Sequence, residues 1–400
     1  MKVETTLTPS KPKKQSIPPF SPKKFIWISS LAHCTNDFYN GFLGPLLPIL
    51  VLRLDISLAL AGTLVSIFSV FNSLLHPFFG MIADRLRRNY FFVFGPLIAG
   101  VFMSLIGLAN SYLSLVIILA LSGIGTSIFH PQAATLVGKV AKLNPGKSMS
   151  IFGLGGTLGV ALGALVIIPL VMTWGLQSSL ITVLPAIAIV FVTFRLLDSN
   201  RGEIHQHERI NPLRNLDGYW PVILILFFMA VIRSTFIICF QNFMPLLLAE
   251  SGESLFSGAL SVAILQISGG AGLLVGGYLS DKFPAKKVMQ SSFLFALPFG
   301  ILFFFFPTIY GIVFIGLAGF FVLMSLPINI LIAQKILPKN VGFASGIMMG
   351  FAWGTAGLLA TPVGVLADII GLKYALLIVT LLMFPGFILA RSFPIKVEIR

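Results

Sequence analysis

The chain is 400 residues long, 56% hydrophobic and only 10% charged, with 38 Phe and 38 Gly. That balance leaves too little polar surface to cover a water-soluble particle, so a soluble fold is excluded and lipid is the solvent for most of the chain. The formal charge of +14, from 27 Lys and Arg against 13 Asp and Glu, could suggest nucleic acid, but it gains meaning only once the charges are placed.

A window of about 19 residues, the length that crosses about 30 Å of hydrocarbon as helix, predicts twelve apolar runs. They lie at 25–53 (span 1), 58–83 (span 2), 90–110 (span 3), 113–138 (span 4), 148–173 (span 5), 177–195 (span 6), 218–249 (span 7), 255–280 (span 8), 288–307 (span 9), 309–334 (span 10), 341–367 (span 11) and 372–391 (span 12). Residues 1–24 form a basic tail rich in Pro, Ser and Thr, which reads as a disordered, solvated arm able to meet anionic lipid headgroups. Span 1 is too long for a signal peptide and no A-x-A-like cleavage site follows it. Of the 27 basic residues, 24 fall in the amino tail, in the connections after spans 2, 4, 6, 8 and 10, or in the carboxyl tail; the opposite side carries only Arg53 and Lys373. By the positive-inside rule both termini are cytoplasmic, and the expected location is the inner (cytoplasmic) membrane. Residues 196–217 read as a cytoplasmic linker between an amino-terminal half, 25–195, and a carboxyl-terminal half, 218–393, with a short tail at 394–400. Cys34 and Cys239 sit inside apolar runs without metal-ligand spacing, and packing is their expected role.

The halves repeat each other. Gly80-x-x-x-Asp84-Arg85 after span 2 returns as Gly277-x-x-x-Asp281-Lys282 after span 8, shifted by 197 positions, and Pro48 returns as Pro245 at the same shift. Pro131 returns as Pro327 at 196, and Gly156-Thr157-x-Gly159 as Gly354-Thr355-x-Gly357 at 198. A duplicated six-helix unit follows. The expected fold is therefore an all-α membrane protein of twelve helices in two pseudo-symmetric six-helix bundles, with a cavity between halves that rock around it.

The loop from Gly80 to Arg88 resembles the signature loop of the major facilitator superfamily, G-x-x-x-D-R/K-x-G-R/K-R/K, with Arg87 in place of the second glycine. The resemblance spans about Phe25 to Phe393. It implies a conformational latch built from Gly80, Asp84, Arg85 and Arg88, with Gly277, Asp281 and Lys282 as the second copy, rather than a substrate site; an ordinary positively charged loop is the plainer reading. Within the superfamily, Leu31-Ala32-His33-Cys34-Thr35-Asn36-Asp37, Ser73-Leu74-Leu75-His76-Pro77 and Gly125-Thr126-Ser127-Ile128-Phe129-His130-Pro131 resemble the fosmidomycin-resistance family, which implies a proton-driven exporter of small molecules. The match to other drug/proton antiporters is poorer. Leu119 stands where their span 4 has an arginine, and Gly155-x-x-x-Gly159-Val160-x-x-Gly163-Ala164 departs from their span 5 signature at Val160 and Ala164. Those glycines serve equally well for close helix packing.

Two formally charged residues remain inside the spans, Asp37 and Arg233, and each costs about 2.5–3.5 kcal/mol at a helix centre unless compensated. Their separation of 196 equals the repeat shift, so they should face each other across the cavity, with a direct ion pair open to them. His33, Asn36, Asp37 and Asn40 share one helix face, as do Ser69, Asn72, Ser73 and His76 in span 2 and Ser122, Thr126 and His130 in span 4. Arg233 and Gln241 share a face in span 7, with Asn242 beside it, and Ser325 and Asn329 do so in span 10. The resemblance implies that spans 1, 4, 7 and 10 line the cavity.

Asp37 is read as a proton-coupling carboxylate tuned by His33, as a structural partner of Arg233, or as a metal ligand. The forked guanidinium of Arg233 suits an anionic substrate group, the plainer reading being compensation of Asp37. Asn36, Asn40, Thr126, His130, Gln241, Asn242 and Asn329 complete the expected substrate contacts. His76 is expected to hydrogen-bond at the Pro77 kink. No H-x-x-x-H pair or carboxylate cluster supports a metal at His33, Asp37 and His130, so neither metal nor cofactor is expected.

The function expected is export of a small anionic or zwitterionic drug or metabolite against inward proton flow. A proton symporter importing an organic anion or polyol is the alternative. A sensor would need an output domain for which the tails and linker are too short, and an enzyme would need a nucleophile–base constellation or nucleotide loop. The partners expected are a small-molecule substrate, protons and membrane lipids, without nucleic acid, and one monomer holds a complete pathway.

Overall fold

The computed structural model describes residues 21–394 apart from 84, 87, 141–144, 197–217 and 338–340. Asp84 of the expected latch, nearly all of the linker and both chain ends thus lie outside the described residues. Those described are helical, with no strand among them. Ten helices are long and apolar enough to cross a membrane: Leu58–Ala83, Tyr90–Leu108, Tyr112–Gly138, Ser148–Trp174, Leu176–Leu196, Trp220–Glu250, Leu255–Lys282, Ile309–Ile336, Phe343–Ile370 and Leu372–Ser392. They correspond to spans 2 to 8 and 10 to 12.

The other two expected spans are helical as well. Span 9 is the 19-residue helix Ala285–Phe303, which begins directly after Pro284 at the N-cap position and so lies a few residues earlier than the apolar run. Span 1 is split into Pro22–Phe38 and Leu43–Leu54 by a 3-10 turn at Tyr39–Gly41. The cause is Pro45. It offers no N–H to the carbonyl of Gly41, four residues back, and its ring crowds that carbonyl. Span 7 has Pro221 in its first turn, where no N–H is needed, and only Pro245, the mate of Pro48, in its interior, and it runs unbroken from Trp220 to Glu250.

Within the amino-terminal half, spans 1 and 5 approach at backbone distance. Cβ atoms on Gly155, Gly159 and Gly163 would run into the carbonyls of Ser30, Cys34 and Phe38, so a row of glycines at i, i+4 and i+8 receives a matching row of backbone. The plain packing reading of these glycines is therefore realised.

Among the described residues the halves meet mainly along three seams. Span 5 lies on span 8, where a Cβ on Gly270 would be 2.6 Å from Oγ1 of Thr157. Span 2 lies on span 11. There Ser66 Oγ donates to the carbonyl of Gly357 at 2.8 Å and accepts from Thr361 Oγ1 at 2.8 Å. At the start of span 2, Asp368 of span 11 accepts from the backbone N–H groups of Leu58 (2.9 Å) and Ala59 (2.8 Å), while Ser57 takes that of Leu60. A carboxylate of one half thereby caps a helix of the other. In the third seam the second helix of span 1 crosses span 7, and a Cβ on Gly44 would meet the Gln241 carbonyl. The repeat shift of 197 relates Gly44 to Gln241, so this crossing sits on the pseudo-two-fold axis, where equivalent positions touch.

Large apolar side chains face outward, among them Phe191 (77% exposed), Ile369 (74%) and Phe305 (72%), as a lipid-facing surface requires.

Candidate functional site

Asp37 stands in the last turn before the break in span 1, where a helix end leaves the carboxylate within reach of neighbouring donors. Its Oδ1 accepts from Nδ2 of Asn36 (2.9 Å) and of Asn40 (3.2 Å) and lies 3.3 Å from Nε2 of His130. Its Oδ2 lies 3.1 Å from Nε2 of His33, one turn earlier. The other nitrogen of His33, Nδ1, lies 2.7 Å from the Phe152 carbonyl oxygen of span 5. The His33 ring stacks on that of Phe152 with centroids 4.2 Å apart and meets His130 edge-on at 5.0 Å. His130 in turn meets His76 of span 2 at 5.2 Å.

His33 is thus bracketed by two acceptors. A neutral imidazole carries one N–H, so both contacts are hydrogen bonds only if the ring is an imidazolium facing a carboxylate, or is neutral and faces a protonated carboxyl. Either way the cluster accommodates one proton more than a neutral histidine beside an ionised aspartate. Gly156 makes room for this arrangement, since a Cβ there would sit 2.6 Å from Nε2 of His33 and 2.7 Å from Oδ2 of Asp37.

His33, Asp37 and His130 also offer metal-ligand atoms within 4.8 Å of one another, a grouping their sequence spacing did not announce. Yet Oδ1 already faces three N–H groups or ring nitrogens. Those contacts occupy the lone pairs that a cation would need.

Arg233 is 0% exposed, and none of its three guanidinium nitrogens has a hydrogen-bond partner among the described residues. The ion pair with Asp37 that the repeat leaves open is therefore not made here. Equivalence under the repeat places two residues symmetrically, but Asp37 is already held by its own half through His33 and His130. The Oδ1 atoms of Asn36, Asn40 and Asn329 are likewise buried without partners.

The remaining expected contacts are distributed unevenly. Thr126 is fully buried and its hydroxyl returns to the Ser122 carbonyl of its own helix, while Ser122 Oγ donates to the Ala99 carbonyl of span 3. Asn242 Nδ2 donates to the Ile238 carbonyl one turn back, and Asn329 Nδ2 to the Leu226 carbonyl of span 7 at 3.4 Å. Gln241 uses both ends of its amide: Nε2 donates to the Asn40 carbonyl at 3.0 Å, and Oε1 accepts from Gln266 of span 8 at 2.8 Å. In the latch loops, Lys282 lies over the Tyr278 ring at 4.4 Å and Arg88 Nη1 reaches Tyr90 Oη at 3.5 Å. Asp281 and Arg85 are exposed. A Cβ on Gly80 would make ordinary contact with Pro131, and one on Gly277 would meet open space. His76 makes the expected backbone hydrogen bond at the kink, to Asn72.

Sequence reading missed Gly156, Gln266 and Asp368 as site or seam residues. Gly156 was visible only as part of the duplicated Gly-Thr motif, and Gln266 only as a lone amide in an apolar run.

The model of the Major Facilitator Superfamily matches residues 29–361. The fosmidomycin resistance protein of Escherichia coli K12 is 27% identical over 355 residues, covering 85% of each chain. A multidrug resistance protein of E. coli, MdtG, is 25% identical over 297 residues, covering 70% of this chain and 72% of its own. Among solved structures, a bacterial homologue of the human lysosomal transporter Spinster, in an inward-facing and occupied conformation, superposes with a TM-score of 0.73 at 17% identity, covering 94% of this chain and 98% of its own. The nucleoside transporter NupG does so with a TM-score of 0.73 at 14% identity, over 92% and 98%. The chain belongs to the Major Facilitator Superfamily and is a multi-pass membrane transporter rather than an enzyme.

Proposed function

We propose that the chain exports a small anionic or zwitterionic molecule in exchange for protons by alternating access, through twelve spans with both termini in the cytoplasm. The observation that carries this reading is the bracketed His33: the His33–Asp37–His130 cluster is built to hold an extra proton inside the membrane, which a carrier that ignored protons would not need. Arg233 is the anion contact. A buried guanidinium with three unpartnered nitrogens is costly, and a carboxylate, phosphate or phosphonate would supply paired oxygens to its fork. The partnerless amide oxygens of Asn36, Asn40 and Asn329 add acceptors for the N–H or O–H groups of the same ligand. Symport uses the same parts; export is favoured by the resistance proteins among the relatives.

The test is purified protein in liposomes enclosing a pH dye, challenged from outside with small phosphonates, organic anions and cationic drugs. Proton release from the lumen as compound enters establishes antiport. Proton entry along with the compound makes the carrier a symporter, and absence of proton movement during measured uptake removes the coupling.

A further inference from the structure

A relay of polar contacts joins the proton cluster to the opposite half. It starts at Asn40, in the 3-10 break of span 1. The Asn40 side chain donates to Oδ1 of Asp37 at 3.2 Å, and its backbone carbonyl accepts from Nε2 of Gln241 at 3.0 Å, 201 positions along the chain. The Gln241 amide cannot turn freely, because its Oε1 accepts from Nε2 of Gln266 at 2.8 Å, and Gln266 is 95% buried. One residue therefore touches the proton site with its side chain and the far half with its backbone. It does so in the only part of span 1 where the α-helical ladder is interrupted, so the carbonyl of Asn40 can move without unwinding a regular helix. The contact lies beside the Gly44–Gln241 crossing on the pseudo-two-fold axis, where a small shift separates or joins the two bundles at that seam.

We infer that Gln241, held in register by Gln266, is the positioning residue through which the protonation of the Asp37 cluster closes the span 1–span 7 seam. This rests on the proton-coupled reading above. The structure pairs the extra-proton arrangement of His33 and Asp37 with a made Gln241–Asn40 contact, so the proton-bound cluster goes with a closed seam. When the proton leaves, the donors around Asp37 rearrange, Asn40 follows the carboxylate, and the carbonyl that Gln241 holds is withdrawn. The titratable or charged groups facing Asp37 are His33 and Cys34 on its own helix and His130 on span 4, with His76 of span 2 behind His130; span 5 presents only Gly156 and the Phe152 carbonyl.

The test reads seam closure without needing a substrate. Spin labels are placed on Leu52→Cys and Ser251→Cys, at the ends of spans 1 and 7 beyond the seam, in a background with Cys34→Ser and Cys239→Ser, and their distance distribution is measured in lipid at about pH 6 and about pH 9. In the otherwise unaltered protein, raising the pH should move population from the short to the long distance. Asp37→Asn, which cannot lose the proton, should stay short at both. Gln241→Glu, which keeps the acceptor for Gln266 but lacks the N–H for Asn40, and Gln266→Met should both give distributions that no longer respond to pH. The double variant should be no worse than either single one, because they interrupt one chain. A pH response in Gln241→Glu and Gln266→Met equal to that of the unaltered seam would overturn the inference while leaving proton coupling intact. No response even without these changes would overturn both. A changed substrate affinity with a normal response would make Gln241 a ligand contact instead.

Discussion

Nε2 of His33 and Oδ2 of Asp37 stand 3.1 Å apart on successive turns of one helix, while the far nitrogen of the same ring is committed to the Phe152 carbonyl of another span. The geometry ties the proton count of the carboxylate to the contact between spans 1 and 5. Removing His33 should therefore do more than weaken a salt bridge. In His33→Phe the Phe152 carbonyl loses its contact with span 1 and Asp37 keeps only Asn36, Asn40 and His130, and each hydrogen bond lost costs about 0.5–1.5 kcal/mol, more where it involves a charge. The expected outcome is a lower melting midpoint in detergent together with loss of proton-driven flux. An unchanged midpoint would show that the ring does not bridge the spans.

Gly156→Ala is the sharpest probe of the cluster's shape. The added methyl would lie 2.6 Å from Nε2 of His33 and 2.7 Å from Oδ2 of Asp37, so it must part them. We expect coupled transport to fall by roughly tenfold or more with the protein still inserted and folded, in keeping with over-packing penalties of about 1–3 kcal/mol. Gly159→Ala, whose methyl would meet the Cys34 backbone instead, should destabilise the span 1–span 5 contact first. Equal effects of the two on stability and coupling would deny Gly156 its particular place.

Arg233 makes an opposite forecast for stability. Its nitrogens have no partners among the described residues, so Arg233→Met should leave the ligand-free protein as stable or more stable, by about 1 kcal/mol or more, while abolishing binding of anionic substrates. Arg233→Lys keeps the charge and loses the fork, and should weaken apparent affinity by roughly tenfold. A marked fall in the melting midpoint of Arg233→Met would mean that the guanidinium is paired after all.

Asp368 should act as a clasp between the halves. It holds two N–H groups at the start of span 2, and Asp368→Asn turns one acceptor into a donor facing another donor. The population open at that end should rise roughly three- to tenfold, the range expected for losing a helix cap, visible as faster labelling of a nearby engineered cysteine by an impermeant maleimide. Unaltered labelling would show that the Ser66–Thr361 contacts alone hold the seam.

Much of this architecture was legible because the bilayer writes in long words: a run of about 20 apolar residues leaves few alternatives to a helix, and the Gly80/Gly277 and Pro48/Pro245 repeats showed the two halves. The helix face carrying His33 and Asp37 was also readable from i, i+4 spacing alone. His130 falls on a cavity face by its spacing, but its contact with Asp37 is not fixed by the sequence, because it depends on how span 4 packs against span 1. Whether Asp37 and Arg233 pair is not legible in the sequence: a repeat relates positions without bringing them together, and here nearer histidines hold the carboxylate. Gln241 and Asn242 share a stretch of span 7 yet differ completely in partners, one bridging the halves and the other closing on its own backbone, a distinction set by which flank faces the axis.

The most direct test of the account compares unaltered protein with Asp37→Asn in two liposome assays of the same transported compound. The first is accumulation driven by an imposed pH gradient, and the second is exchange of labelled for unlabelled compound without a gradient. Asp37→Asn should lose gradient-driven accumulation and retain a substantial part of the exchange. Accumulation that persists in Asp37→Asn, responding to the gradient as before, would contradict it.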